Sequence, residues 1–274
     1  MNYQEFVGSV TDFLRESLPS GTKLEMLPLE KNNGVILDGL SIRRQGQKVA
    51  PTIYMDAYYR EYLDGRSLKG ICDQIIECCS NTDFEEKFNA DFFSDYSRLQ
   101  HTVVYKLINA EKNRELLKKI PHLPFLDLAI VFYCLLEDTP VGNATVLIHN
   151  SHLKLWKAGC SDLYRDAKAN AVKLLPARLS SMADVIRELS GGLEEPEEVG
   201  VPMYVLTNSQ KSLGAACILY EGVLESCADR IGGEFYMLPS SIHEVIMVPA
   251  SAVSDEQELT AMVRDINRTQ VRDT

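Results

Sequence analysis

Apolar residues near the start of the chain recur at the spacing of one helix face. Their positions follow the i, i+3, i+4, i+7 pattern, which predicts an amphipathic helix that ends before Pro19. Three extended segments follow at residues 23–29, 35–43 and 51–55, and short turn sequences separate them. They predict an antiparallel meander, which a helical stretch over residues 58–76 completes. The apolar residues of the first helix are Phe6, Val7, Val10, Phe13 and Leu14.

The middle of the chain repeats the order of strands followed by helix. Apolar runs bounded by polar residues predict strands at 103–108, 126–136 and 144–148. A helical pattern then extends over residues 151–175. The clearest break in the chain follows at residues 190–198, which combine two glycines, a proline and four glutamates. We interpret this segment as a linker or an exposed loop.

Beyond the break, the apolar pattern predicts a third region of strands and helices. Ser254, with Gln257 three residues later, forms a capping box that marks the start of a last helix. The other elements predicted here are strands at 203–207 and 215–219, a helix at 222–231, and a hairpin of 234–238 with 245–248.

These patterns predict an α+β fold. It consists of repeated strand-strand-helix units, with mostly antiparallel sheets that helices cover on at least one face. The units correspond to residues 1–100, residues 101–192 and residues 200–274. We expect them to pack as one or two compact domains, and the acidic stretch at 194–198 is the candidate boundary if there are two.

Composition supports a folded protein and restricts its partners. The chain has 274 residues, of which 45% are hydrophobic, enough for a substantial core. Its 39 acidic and 28 basic residues give a formal charge of −11, which argues against nucleic acid and anionic membranes as partners. The N-terminus does not resemble an export signal, and the longest apolar stretch is shorter than the roughly 20 residues of a membrane span. We therefore expect a cytoplasmic protein.

The seven cysteines are expected to be reduced thiols in the core. Cys72 and Cys79 fall on one apolar stripe of helical spacing that begins at Leu68, which is typical of buried positions. No CxxC pair and no Cys/His quartet with zinc-finger spacing occurs. Since the sequence also lacks a P-loop and a dinucleotide-binding motif, we predict neither a metal nor a cofactor.

The hairpin near the C-terminus carries the most reactive set of side chains in one short span. Ser240, Ser241, His243 and Glu244 are the residue types of nucleophilic catalysis. However, the members of a triad normally come from separate elements, and no nucleophile-elbow motif surrounds these serines. We therefore interpret them first as turn and strand residues after Pro239, and keep catalysis as the alternative.

Two further segments are candidate binding sites. His149 and His152 would share one helix face and could supply two metal ligands, but no third ligand is apparent nearby. Because His149 follows a predicted strand, Asn150 or the serine after it is interpreted as a helix N-cap.

The second candidate is a tyrosine-lined groove after the third strand. Asp56 follows that strand, and Tyr58 and Tyr62 lie one helical turn apart just beyond it. Asp56 suits an N-cap that complements the helix dipole, and a ligand groove between the tyrosines is the alternative.

Several stretches of the chain carry a resemblance to known proteins. They are PMYVLTN at 202–208, GAACILY at 214–220 and LPSSIHEV at 238–245, with support from 126–132, 142–148 and 163–171. In these stretches the sequence resembles a family of uncharacterised proteins from gut clostridia, and more distantly the YtpQ-like proteins of bacilli. In the latter, the corresponding hairpin has a proline followed by a polar pair and an acidic residue, whereas Ser240, Ser241 and His243 stand here. The resemblance implies a bacterial, intracellular protein and no established activity.

Function is not specified by any motif in the sequence. We favour a binding or interaction module for a protein or small-molecule partner, because no catalytic constellation is assembled in sequence. The alternative is a hydrolase-type enzyme centred on the hairpin. Binding of nucleic acid would need distant basic pairs, such as those at 43–44 and 118–119, to converge despite the negative total charge.

Overall fold

The computed structural model describes residues 1–47, 50, 52–80, 88–139, 142–191, 201–253 and 259, and its fold is α+β. All strand pairs in the described part of the chain are antiparallel, and they form three sheets. The predicted acidic stretch at 194–198 and most of the predicted last helix lie outside the described residues.

The N-terminal sheet has the order β1-β2-β3 and packs against helices. Asn2 caps the first helix by accepting a hydrogen bond from the backbone N–H of Glu5 at 2.9 Å. Cys72 and Cys79 of the third helix are buried, as the helical stripe predicted. The elements are α1 (Tyr3–Ser17), β1 (Lys23–Glu30), β2 (Ile36–Arg43), β3 (Thr52–Tyr54), α2 (Met55–Leu63) and α3 (Leu68–Ser80), with a 3₁₀ helix at Asn32–Gly34.

The central sheet is built around one long strand. Strand β6 pairs with β4 along one edge, and its other edge pairs first with β5 and then with β7. The elements are α4 (Ala90–Ser94), α5 (Tyr96–Leu99), a 3₁₀ helix (Gln100–Thr102), β4 (Val103–Asn109), α6 (Arg114–Leu117), β5 (His122–Phe125), β6 (Leu128–Thr139), β7 (Gly142–Leu147), α7 (Asn150–Trp156) and α8 (Cys160–Leu174).

The C-terminal sheet has the order β10-β11-β9-β8. The predicted hairpin is its β10–β11 pair, in which Phe235 faces Pro249 and Pro239 faces Val245. The elements are β8 (Ala177–Ser181), α9 (Met182–Leu189), β9 (Tyr204–Asn208), a 3₁₀ helix (Gly214–Leu219), α10 (Val223–Ile231), β10 (Phe235–Pro239), β11 (Val245–Pro249) and a 3₁₀ helix (Ala250–Ala252).

One predicted strand is wrong. Residues 215–219 form the buried 3₁₀ helix Gly214–Leu219, because Leu213 takes a left-handed conformation (φ 55°) that ends the extended path. The strand predicted at 126–136 is β6 and begins two residues later, because Leu126 is also left-handed (φ 54°) and makes a tight turn with Asp127 between β5 and β6. In both turns the left-handed position is a leucine, whereas glycine or asparagine would have signalled it.

The two long helical regions are each divided into two helices. Gly65 (φ 99°) follows the end of α2, and the Ser67 side chain accepts the Gly70 N–H at the start of α3. Lys157 (φ 53°) ends α7, and Gly159 is the N-cap of α8. Lysine is an uncommon residue for such a left-handed cap.

The largest apolar cores group residues from different parts of the chain. One core contains residues between Phe6 and Cys79 alone, while the largest one combines central and C-terminal residues from Phe88 to Met247. Asn113 joins the N-terminal sheet to the rest of the molecule, since its amide bonds the side chains of Asn32 (2.9 Å) and Asn33 (3.2 Å). The division at residues 100 and 192–200 stays a prediction.

Candidate functional site

The C-terminal hairpin turn is held by hydrogen bonds from its serines. The Ser241 hydroxyl accepts the His243 backbone N–H at 3.0 Å, and the Ser240 hydroxyl lies 3.4 Å from the Glu244 carbonyl and 3.5 Å from its carboxylate. Neither of these two hydroxyls bonds the His243 ring, and Ser240, Ser241 and His243 are only partly buried. The hairpin therefore does not assemble the serine–imidazole pair that nucleophilic catalysis requires.

The His243 ring instead contacts the loop that follows β9. Its Nδ1 accepts the backbone N–H of Leu213 at 3.1 Å, so the neutral ring carries its proton on Nε2. The pKa of His243 is lowered, first by burial and then by the positive charge of Lys106, while Glu244 acts in the opposite direction. The imidazole is therefore neutral near pH 7.

Hydrogen bonds and close packing fix the conformation of the loop of residues 208–214. Asn208 is 1% exposed, donates to the Ser212 carbonyl at 2.7 Å and accepts the backbone N–H groups of Gln210 and Ser212. Gly214 lies so close to its surroundings that a Cβ there would come within 2.3 Å of the Thr207 hydroxyl. Because the left-handed Leu213 also costs backbone energy, tertiary contacts must hold this loop in place.

A small cavity of about 240 Å³ lies between this loop and the central sheet. Leu135 and Thr145 are paired in register across β6 and β7, and Tyr133 lies two residues before Leu135, so all three share one face of the sheet. The lining combines apolar side chains with hydroxyl and amide groups. Its residues are Tyr133, Leu135, Thr145, Gln210, Ser212 and Leu213.

Lys106 lies on the same face of the sheet as this cavity. Val104 pairs with Tyr133, and side chains alternate along β4, so Lys106 projects to the face that carries Val104 and Tyr133. Lys106 is partly buried and makes no hydrogen bond or ion pair with any described residue. Burial and the neighbouring charge of Lys31 lower the pKa of Lys106 to about 8.

Lys31 brings a second ammonium group to this place from the N-terminal sheet. It donates a hydrogen bond to the Tyr54 hydroxyl, and its Nζ lies 3.8 Å from the centre of the Tyr54 ring. Lys31 and Lys106, from the N-terminal and central regions of the chain, interact electrostatically, and we call these two residues the cation cluster. The neutral ring of His243, from the C-terminal region, also interacts with Lys106.

Sequence reasoning found His243 but missed the two lysines. One signal was available, because Lys106 is the single charged residue within the apolar strand run Val103-Val104-Tyr105-Lys106-Leu107-Ile108. A single charged residue in a buried strand is uncommon unless it is paired, so it marks a candidate functional residue. Lys31 had no comparable signal, since it lies in a polar turn whose approach to β4 is a long-range feature.

The predicted tyrosine groove is part of the N-terminal core. Asp56 is the second residue of α2, and its carboxylate accepts a hydrogen bond from the Tyr3 hydroxyl at 3.3 Å. Tyr58 is 8% exposed, and the ring of Tyr62 packs 5.4 Å from that of Phe6. These three residues therefore do not line a groove between them.

The predicted histidine pair lies at the start of α7. His149 is the N-cap, and its backbone N–H donates to Nδ1 of His152 at 3.1 Å. The Asn150 side chain donates to the Lys118 carbonyl at 3.1 Å, while the His152 ring stacks on Trp156. Nδ1 of His152 is therefore occupied, and these contacts attach α7 to its surroundings.

The predicted basic pairs are engaged in contacts of their own. Arg43 pairs with Glu25, and Arg44 donates to the Cys79 carbonyl at 2.8 Å. Lys118 pairs with Glu115 and Lys119 with Glu30, so acidic neighbours offset three of these four charges.

Comparison with known proteins gives the family of the chain. The sequence matches a family of unknown function, DUF5688, over residues 3–274. The chain belongs to this family. No curated protein and no solved structure is significantly similar to it. The chemistry of the site must therefore be argued from its own residues.

Two structural features bear on membranes and metals. None of the helices in the described ranges has the length and apolar character needed to cross a bilayer. Within the same residues, no three His, Cys, Asp or Glu side chains are placed to hold a metal ion together.

Proposed function

We propose that the protein is a binding module for a small anionic ligand, which the cation cluster holds beside the cavity. The carrying observation is that Lys106 is partly buried beside another lysine, without an anionic partner among the described residues. Buried charges are normally paired, because moving a charged group out of water costs more solvation free energy than an uncharged environment restores. A ligand carboxylate or phosphate is the missing counterion.

Electrostatics favour an anion at this place. Lys31 and Lys106 repel each other, and each unit of a lowered pKa corresponds to about 1.4 kcal/mol of unfavourable interaction with the charged form. An anion between them would offset this repulsion and restore the protonated state of Lys106. Charge-assisted hydrogen bonds from two ammonium groups are stronger than neutral ones.

The cavity limits the size of the ligand. Its volume of about 240 Å³ is below the roughly 300–1,000 Å³ of sites for drug-sized molecules. Thr145, Gln210 and Ser212 provide hydroxyl and amide groups, while Leu135 and Leu213 provide apolar contacts. A compact anion with a short organic part fits this lining.

Calorimetric titration with inorganic phosphate and with pyruvate tests the proposal. We expect the native chain to bind at least one of them, and Lys106→Met to weaken that binding at least tenfold. Lys173→Met is the matched control, because Lys173 is an exposed residue of α8, which packs on the opposite face of the central sheet through Tyr164 and Tyr105. Equal affinity of the native chain and Lys106→Met, or no binding of either anion, would overturn the proposal.

The hydrolase alternative receives no support from the hairpin. It requires His243 as a general base for Ser240 or Ser241, but Nδ1 of His243 accepts the Leu213 N–H and neither hydroxyl bonds the ring. The same hydrogen bond supports a different role for His243, as the residue that fixes the loop over the cavity.

We also propose that the protein is bacterial and cytoplasmic. The net charge of −11 and the resemblance to proteins of gut clostridia and, more distantly, to the YtpQ-like proteins of bacilli support this assignment. Fractionation of a cell that expresses the full gene would test the location. Recovery in the membrane or the medium would contradict it.

A further inference from the structure

We infer that the free edge of strand β8 is a docking site for an extended acidic segment of a partner protein, which adds to the C-terminal sheet as a further strand. The inference rests on the backbone of this edge strand and on an arginine-lined groove beside it. It does not depend on the proposed function, because neither lysine of the cation cluster lines this groove.

Strand β8 lies at one edge of the C-terminal sheet and pairs with β9 alone among the described strands. At one end of this pair the Ser209 N–H donates to the Pro176 carbonyl at 2.9 Å, and at the other the Met182 N–H donates to the Met203 carbonyl at 2.8 Å. In an antiparallel pair, bonded positions alternate with positions whose backbone groups point away from the partner strand. The even-numbered residues of β8 therefore direct their backbone groups to β9.

The odd-numbered residues of β8 direct their backbone groups to the free edge. Two of them are Ala177 and Leu179, whose N–H and C=O groups have no hydrogen-bond partner among the described residues. An extended peptide presents the same alternation of donors and acceptors. A row of free donors and acceptors at a sheet edge is therefore a template on which such a peptide can pair.

A groove of about 450 Å³ follows this edge. Three consecutive residues of β8 line it, namely Arg178, Leu179 and Ser180. Because side chains alternate between the two faces of a sheet, consecutive residues can border one groove where it runs along the strand edge. The Leu179 side chain belongs to the largest core and is 8% exposed, so its backbone is the part that a ligand can reach.

The groove is rich in cations, although the whole chain has a formal charge of −11. Arginines from β8, α9 and α10 line it, together with two carboxylates of α9. Glu188 is shared between two cations, since its carboxylate lies 3.6 Å from Arg178 and 2.6 Å from Lys211. Arg230 is exposed and makes no ion pair with any described residue. Acidic side chains are therefore the complementary chemistry for this surface.

The same features argue against other occupants. Two copies of the chain paired through β8 would bring their arginines together, and like charges on facing strands are unfavourable. Phosphate oxygens of a nucleic acid would accept hydrogen bonds but offer no donor to the Leu179 carbonyl. An acidic peptide supplies both the negative charge and the backbone donors.

Binding of a short fluorescent peptide of alternating glutamate and valine tests the inference. Valine favours the extended conformation, and glutamate supplies the charge. We expect the native chain to bind it about tenfold or more tightly than the corresponding lysine–valine peptide.

Two matched variants test the contribution of the groove. Arg230→Gln should weaken binding of the glutamate–valine peptide by about fivefold, because it removes the unpaired cation. Arg15→Gln is the control, since Arg15 is an exposed residue of α1, whose buried face packs in the N-terminal core. Circular dichroism checks that both variants are folded.

Hydrogen exchange followed by NMR locates the bound peptide. The glutamate–valine peptide should slow exchange at the amides of Ala177 and Leu179, which face the free edge. The amides of Arg178 and Ser180 already bond to β9, so their exchange should change little. An anion held by the arginines alone would not produce this alternation.

Several outcomes would overturn the inference. They are equal binding of the two peptides, unchanged affinity in Arg230→Gln, or no slowing of exchange at the edge amides. Slow exchange at Ala177 and Leu179 in the chain without peptide would also overturn it, because another segment or a second copy would already cover the edge. These results leave the cation cluster untouched, since its own test is the binding of phosphate or pyruvate.

Discussion

The backbone N–H of Leu213 donates a hydrogen bond to Nδ1 of His243 at 3.1 Å, and this contact joins the β9 loop to the hairpin turn. The bond requires that Nδ1 carry no proton. Protonation of His243 would therefore turn Nδ1 into an N–H donor that faces the N–H donor of Leu213. The left-handed Leu213 loses one of its supports when that happens.

The stability of the protein should depend on pH through His243. Its pKa is lowered by folding, so below about pH 6.5 the unfolded ring takes up a proton that the folded ring does not. Stability therefore rises with pH in the window just below 6.5. Because Asn can accept the Leu213 N–H without titrating, His243→Asn should make this rise shallower. Urea denaturation between about pH 5 and 7 measures it, and an unchanged slope would contradict the assignment.

Gly214→Ala should destabilise the protein by about 2–3 kcal/mol, because the new Cβ would lie 2.3 Å from the Thr207 hydroxyl and 2.7 Å from the His243 carbonyl oxygen. Gly8→Ala is the control. Gly8 lies in α1 with no atom within 4 Å of the added Cβ, so this change should stabilise by up to about 1 kcal/mol. Chemical denaturation compares the two, and equal effects would show that the close packing at Gly214 is not a constraint.

Asn113→Ala should weaken the junction between the N-terminal sheet and the central sheet. Asn113 is 2% exposed, and its loss leaves the buried Asn32 amide without this partner, at a cost of about 1–3 kcal/mol. Asn113→Asp keeps the oxygen that accepts the Asn33 N–H but removes both donors, so its effect should be intermediate unless the new charge dominates. Hydrogen exchange should rise at residues 32–34. Unchanged exchange there in both variants would contradict this role.

Lys106→Met should change stability in a pH-dependent way. The pKa of Lys106 is about 8 in the folded chain and near 10.5 when unfolded, so between these values the unfolded state binds more protons and stability rises with pH. Methionine removes this dependence. In the absence of ligand, the variant should be more stable than the native chain at pH 7, by up to about 3 kcal/mol, and the difference should shrink toward pH 10. A constant difference would show that Lys106 is not perturbed.

Elements with a regular period could be predicted from the sequence, and short irregular ones could not. Helix α1 was predicted because its apolar face repeats, and the hairpin of β10 and β11 because its two strands are adjacent in sequence. The segment after Leu213 has the pattern of a strand but forms a 3₁₀ helix, since a short apolar run has no periodicity that distinguishes a strand from a short buried helix.

The candidate site was predicted in part for a similar reason. His243 was singled out by its residue type, but its partner Leu213 is 30 residues away and contributes a backbone N–H that no sequence pattern reveals. Lys31 and Lys106 meet because a turn of the N-terminal sheet approaches an edge strand of the central sheet. Such convergence depends on tertiary packing, which local patterns do not encode.

Along one edge, strand β6 pairs first with β5 and then with β7, and this arrangement affects the order of folding. Strands β5, β6 and β7 follow one another directly, so their pairing closes short loops and costs little chain entropy. We expect this meander to form early and the distant contacts of Lys31 and His243 to form late. A ligand that needs Lys31, Lys106 and His243 together would then bind the folded chain and not its folding intermediates.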